Sequence, residues 1–190
     1  MSFIGLCGFT EPLFTDASHW PGSALDHAWL EVIRNATVFD GRRLVQSADL
    51  AAFLVVQLGE LARLARDLGD AAAATRWDRH AAAVLDAMLT TLWDGTAFTG
   101  RALDGTTRTT ASLLDLMPVI LGAALPPDVH AKLAEGVARH LTAVGPATER
   151  PDSPHYEADG YWRGPVWAPS TVLIEDGLRR GGAVDLADRV

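Results

Sequence analysis

Tyr161-Trp162-Arg163-Gly164-Pro165-Val166-Trp167 packs three large aromatics, a fixed cation and a Gly-Pro pair into seven residues. Pro165 suits the first position of a helix, where its missing N–H costs nothing and its φ is already helical. Val166, Trp167, Val172, Leu173 and Leu178 then keep a rough helical spacing up to the Gly181-Gly182 stop. A helix is therefore predicted from about Pro165, with Trp162 and Arg163 at its mouth. Indole faces offer flat apolar area with an N–H edge, and a guanidinium offers a rigid fork of donors. Together they suit a polyhydroxylated ring, whose C–H faces stack and whose O–H edges bond. The competing reading is plain packing, since Trp and Arg also serve as core filler and as stacked surface pairs.

Working back from that segment, the chain supplies the material of one helical domain. Its 190 residues are 48% hydrophobic, enough for a sizeable core. A formal net charge of −8 argues against nucleic acid and against anionic membrane surfaces, both of which reward clustered cations. The lone Cys7 has no partner for an internal disulfide, and no run approaches the roughly 20 apolar residues that span a bilayer. The start, Met1 to Cys7, lacks the basic flank and long apolar run of a secretory leader, so a cytoplasmic protein is expected. Asn35-Ala36-Thr37 has the glycosylation spacing but carries no weight in a cytosolic chain.

Residues 1–22 read as a loop-rich lead-in ending at Trp20-Pro21-Gly22. Ser23 caps a predicted helix whose Leu25, Trp29, Val32, Ile33 and Ala36 share a face, with Asp26 in its first turn. Ser47 caps the next, with Asp49 placed to favour the helix dipole. Its apolar stripe is Leu50, Phe53, Leu54, Leu58, Leu61, Leu64, Ala65 and Leu68, closed by Gly69 and widened by Val55 and Val56, as expected of a helix covered on two sides. Asp70 opens a third helix carrying Trp77, Ala81, Val84, Leu85, Met88 and Leu92, which pairs with the second as an αα-hairpin. Thr-rich residues 96–109 around Asp104-Gly105 suggest a small hairpin or ordered loop. Thr110 or Ser112 caps Leu113 to Leu121, kinked at Pro118. Pro126-Pro127-Asp128 opens a further helix with Val129, Leu133, Val137, Leu141 and Val144 on one face. Residues 146–160 carry three prolines and no period, and a loop of that length in a compact domain is functional or mobile. It leads straight into the aromatic segment, which favours function, with Glu149, Asp152, His155, Tyr156, Glu157 and Asp159 as its candidates. About seven helices in antiparallel pairs predict an all-α fold in one domain.

Two stretches carry a family likeness. Tyr161 to Trp167 resembles the signature of glycosidases built on an (α/α)6 barrel: glycoside hydrolase family sixty-three, its mannosylglycerate hydrolase-like relatives, and bacterial proteins labelled glycogen debranching enzymes. Ser23-Ala24-Leu25-Asp26-His27 resembles the Glu-Ser-Gly-Leu-Asp-Asn run of the same group, with Gly22 in place of the Glu, Ala24 of the Gly and His27 of the Asn. The likeness covers most of residues 9–190.

The resemblance implies an inverting glycosidase acting on an α-linked glucoside or related oligosaccharide in carbohydrate metabolism. It makes Asp26 the general acid and Trp20, Tyr161, Trp162, Arg163 and Trp167 the substrate wall. A first-turn carboxyl is favoured in its ionised form, so Asp26 needs burial against Trp20, Trp29 or Trp162 to stay protonated. Relatives take their general base, a Glu, from a segment C-terminal to the signature, beyond the last predicted helix here; a full (α/α)6 toroid also needs twelve helices. The expectation is therefore a partial catalytic domain over 1–190 without its base, Glu11, Glu157 and Glu175 being poor substitutes. The alternative is a non-catalytic carbohydrate-binding or helical scaffold remnant. No His-Glu-x-x-His, paired Cys or Asp-rich loop points to a metal, and no phosphate loop to a nucleotide, so no cofactor is expected. Uncovered helix faces would offer a surface for self-association.

Overall fold

The computed structural model describes residues 36–38, 45–102 and 104–190. The predicted Ser23 helix, with Trp20, Asp26, His27 and Trp29, lies outside the described residues apart from Ala36. In chain order the elements are strand β1 (Val45–Gln46), helices α1 (Ala48–Asp67) and α2 (Ala71–Leu92), strands β2 (Gly100–Ala102) and β3 (Thr107–Arg108), and a 3-10 segment (Leu113–Ala124). Then come α3 (Pro127–Ala138), strands β4 (Leu141–Thr142) and β5 (Gly145–Pro146), a 3-10 turn (Tyr161–Arg163), α4 (Ala168–Arg180) and the short α5 (Val184–Ala187). The described protein is thus mostly helical rather than all-α, with a three-stranded antiparallel sheet ordered β1-β2-β3 and a two-stranded one, β4-β5. None of its described helices is long and apolar enough to cross a membrane.

The α1–α2 hairpin forms where local chemistry asks for it. Gly69 takes φ 79, open to glycine at little cost, and the Asp70 carboxylate accepts from the Ala73 N–H at 2.8 Å to cap α2. Of the predicted stripe on α1 only Leu58 and Ala65 are buried, with Leu54 half-buried. Ala48, Ala51, Ala52, Val55, Leu58, Ala62 and Ala65 face inward, while Leu50, Phe53, Leu61 and Leu64 are exposed and Leu68 is 76% exposed. Small side chains let two helices approach closely, and that contact decides which face turns in. Ser47 does flank α1 in extended conformation, but its side chain makes no cap bond.

The hub of the core is the 3-10 segment, which packs against α1, α3 and α4. Ser112 caps it, its Oγ accepting from Leu114 N–H at 3.3 Å, as its sequence position suggests. Leu113, Met117, Val119, Ile120 and Leu121 are buried on all sides of it. Pro118 lies within this segment, which is wound as 3-10 helix and is broken at Gly122 (φ 54, ψ −127) rather than at the proline. Gly177 lets α4 lie on the 3-10 backbone, since a Cβ there would meet Ile120 Cα at 2.7 Å.

Two boundaries fall elsewhere than predicted. The α3 helix stops at Ala138, and Leu141 pairs with Pro146 across a β turn instead of continuing the helical face. Helix α4 begins at Ala168, with Pro169 rather than Pro165 in its first turn. The reason is a long-range pairing: Val166 bridges Ala147 and the Pro165 carbonyl accepts from Thr148 N–H at 3.3 Å, so this stretch is spent as extended chain. The hairpin expected near Asp104-Gly105 is present, with Gly100 opposite Arg108, and β1 joins it as an unforeseen third strand.

Candidate functional site

The site is built on an extended stretch, 147–150, held between two neighbours. On one side Leu113 N–H donates to Thr148 O (2.8 Å) and Arg150 N–H to Ala111 O (2.9 Å); on the other lie Pro165 and Val166. Successive side chains of an extended chain point to opposite sides. Thr148 accordingly reaches the aromatic turn, and Glu149 reaches a cavity.

Beyond Arg150 the chain turns repeatedly and closes on itself, with Glu157 N–H donating to the Arg163 carbonyl at 2.7 Å. Gly164 sits so tightly against this closure that a Cβ would lie 2.7 Å from the Glu157 carbonyl carbon. Tyr161 has φ 59, a left-handed value that costs a non-glycine residue of order 1 kcal/mol or more. Its carbonyl is held by the Trp167 indole N–H (3.0 Å) and the Thr148 hydroxyl (3.2 Å). The three rings pack on one another: Tyr161 meets Trp167 edge-on at 4.8 Å, and Trp162 stacks on Trp167 at 6.1 Å.

Beside this cluster lies a cavity of about 400 Å³. Thr37, Thr109, Thr110 and Ser153 give it hydroxyls, Arg108, Arg150, Arg163 and His155 give it cationic or imidazole donors, and Glu149 gives it a carboxylate. Glu149 is 0% exposed, and each of its oxygens has a hydroxyl donor, Thr37 at 2.7 Å and Ser153 at 2.6 Å. Arg163 stands 3.6 Å from the exposed carboxylate of Glu157, and Arg150 is paired with Asp152.

Behind the cavity wall two further carboxyls are sequestered. Asp115 accepts from the Thr110 hydroxyl at 2.6 Å, and burial pushes its pKa up to about 7, with the charges of Asp49 and Glu149 adding to the rise and the Thr110 donors opposing it. Asp49 is part-exposed as a residue, yet its Oδ1 is sealed from solvent without a donor, and burial raises its pKa too. The dipole role expected of Asp49 is thus outweighed by desolvation. Among the described residues no group of His, Cys, Asp and Glu is arranged to hold a metal ion.

Of the residues singled out in the sequence, Tyr161, Trp162, Arg163 and Trp167 come together, but Arg163 is the one that lines the cavity, while the three rings pack on one another. Asp26 and Trp20 lie outside the described residues. Among the loop candidates Glu149 and His155 reach the cavity, while Asp152 and Glu157 pair with arginines at its rim. Glu175 is bound to Arg179 on α4. The hydroxyl lining was not foreseen, nor were Arg108 and Arg150; the threonine-rich 106–110 run was the available signal.

A hydroxyl- and arginine-lined hollow beside packed indoles, on a mostly helical frame, defines a class of site suited to a polyhydroxylated ligand. Residues 18–190 match the mannosylglycerate hydrolase MGH1-like glycoside hydrolase domain, and the chain belongs to that family. Over 86 residues it is 35% identical to mannosylglycerate hydrolases MGH1 and MGH2 of Selaginella moellendorffii, a match covering 42% of this chain and 17% of each relative. Its fold resembles an uncharacterized conserved protein from Thermus thermophilus, with a TM-score of 0.66, 22% identity, and coverage of 90% of this chain and 44% of that one. The GH63 mannosylglycerate hydrolase from the same organism, in complex with glucose, gives a TM-score of 0.64 at 24% identity, covering 87% and 39%. A form of that enzyme in complex with Tris and D-glycerate gives 0.59 at 26% identity, covering 76% and 36%. The chain therefore spans less than half the length of these relatives.

Proposed function

We propose that this chain is the part of an inverting glycoside hydrolase that carries the general acid, Asp26, and one wall of the substrate site, its helices forming an arc of an (α/α)6 toroid. The observation that carries the reading is Arg163: the cation of the aromatic signature lines a cavity that also holds hydroxyls and a buried carboxylate. Inversion requires an acid that protonates the leaving oxygen and a base that activates water, with the carboxyls roughly 6.5–9.5 Å apart. Glu149 is a poor base, because both its oxygens already accept hydroxyl bonds. The base is proposed to come from a Glu that follows the matched stretch in a longer enzyme.

The substrate proposed is an α-linked glycoside of a small sugar, and the arginines favour one whose leaving group bears a carboxylate. Arg163 is 3.6 Å from Glu157, an ion pair long enough for a ligand carboxylate to replace. The relatives named as mannosylglycerate hydrolases, one of them with D-glycerate bound, support that choice.

The test is calorimetric titration with glucose and D-glycerate, alongside hydrolysis of mannosylglycerate, for the chain alone and for the chain extended by its downstream coding segment. Turnover by the extended protein that disappears in Asp26→Asn, with folding retained, supports the reading. An undiminished rate in that variant removes Asp26 from the chemistry. Binding that is lost in Arg163→Gln, with turnover by neither form, assigns a carbohydrate-binding module instead.

A further inference from the structure

We infer that Thr148 is a positioning residue for Arg163, and that its hydroxyl, rather than the bulk of its side chain, sets where the guanidinium stands. The inference rests on the reading that Arg163 meets the ligand. Thr148 is 0% exposed, and its Oγ1 touches both ends of the turn that carries Trp162 and Arg163. It donates to the Tyr161 carbonyl at 3.2 Å and accepts from the Gly164 N–H at 2.9 Å. A hydroxyl has one proton to give and lone pairs to receive, so a single side chain satisfies a carbonyl and an amide facing it from opposite ends of a turn.

The mount of this hydroxyl is as constrained as its targets. Thr148 O accepts from Leu113 at the start of the 3-10 hub, and Thr148 N–H donates to Pro165 O just past the turn. The residue is thereby tied to the hub and to the chain after the turn, leaving the hydroxyl little freedom. On the receiving side, Tyr161 holds φ 59, which persists only where its surroundings over-determine it, and Gly164 is pressed against Glu157. The next residue, Glu149, faces the cavity that Arg163 lines. One dipeptide therefore anchors the carboxylate and, through the turn, the residue that bears the guanidinium of the same hollow, and the loop between them adds Ser153 on Glu149 and Glu157 on Arg163.

The decisive variants are Thr148→Val, which keeps the shape and removes the hydroxyl, and Thr148→Ser, which keeps the hydroxyl. Three quantities are read: amide exchange at Gly164, the unfolding midpoint, and affinity for D-glycerate and for glucose as probes. Thr148→Val is expected to speed Gly164 exchange and weaken the better-bound probe, each by roughly tenfold, with the global fold retained; Thr148→Ser should restore both to within about threefold. A role in packing alone would leave affinity tracking the unfolding midpoint, and serine, with its missing methyl, would fail to rescue. Unchanged affinity in the valine variant, or failed rescue by serine, overturns the inference.

If neither the wild-type chain nor its extended form binds either probe, the glycoside reading fails, and exchange alone decides whether Thr148 holds the turn: no acceleration at Gly164 rejects it. Should the valine variant not fold, the wild-type amide still decides. A Gly164 N–H that exchanges as fast as the exposed Asp159 N–H contradicts the bond, and protection of at least tenfold supports it.

Discussion

Replacing Asp115 by Asn should make the protein more stable at neutral pH and flatten part of its pH dependence. The carboxyl is 6% exposed, and burial raises its pKa from 3.8 to about 7. Above about pH 4 the unfolded chain releases this proton while the folded one keeps it. The folded state thus binds more protons between about pH 4 and pH 7, and stability falls as pH rises through that window. Above pH 7 both states are ionised and the cost is constant. Moving a carboxyl over that range is worth roughly 4 kcal/mol, an upper figure because the Asp49 and Glu149 charges share in it. An Asn side chain still accepts from the Thr110 hydroxyl and N–H, which now bond to Asp115 Oδ2 at 2.6 and 3.2 Å, and it carries no charge to desolvate. Urea unfolding of both proteins from pH 4 to pH 8 is the assay. The two should unfold alike near pH 4, and the variant should lead by about 2 to 4 kcal/mol at pH 8. Parallel profiles, or a variant weaker at every pH, would show that the Thr110 bonds and not desolvation govern this carboxyl.

Three further outcomes follow from the packing. Gly177→Ala puts a methyl 2.7 Å from Ile120 Cα and should cost about 1 to 3 kcal/mol in thermal unfolding, since backbone on both sides must give; an unchanged midpoint would mean that α4 does not lie on the 3-10 hub. Glu149→Ala strands two buried hydroxyls, Thr37 and Ser153, and should cost about 2 to 4 kcal/mol, against about 1 for Glu149→Gln, which can accept one bond and donate the other; equal losses in urea unfolding would dissolve that distinction. Gly164→Ala should abolish probe binding in calorimetry while far-ultraviolet circular dichroism stays helical, because the added Cβ strikes the Glu157 backbone locally; retained affinity would separate the turn from the ligand.

The parts of this architecture that were legible in the sequence are those with local causes. Gly69 and the Asp70 cap mark the α1–α2 turn, Ser112 caps the 3-10 hub, and Asp104-Gly105 marks the β2–β3 turn without help from distant residues. What was misread depended on partners far away. Pro165 has the chemistry of a helix start, but the Thr148 amide claims its carbonyl. The leucines of α1 outweigh its alanines as a hydrophobic signal, yet the alanines permit the close contact and turn inward. In the site, Arg163 was readable because cation and aromatics are adjacent in the chain. Thr37 was not, since a single threonine has no periodicity and its carboxylate partner lies 112 residues away.

The most direct test follows the Arg163 side-chain Nε–H and the Gly164 and Ser153 amides by nitrogen-edited resonance while D-glycerate and then glucose are titrated. The account predicts saturable shifts at all three sites with a single affinity for each ligand. Saturable binding that leaves these three silent and moves resonances elsewhere would place the sugar site outside this cavity.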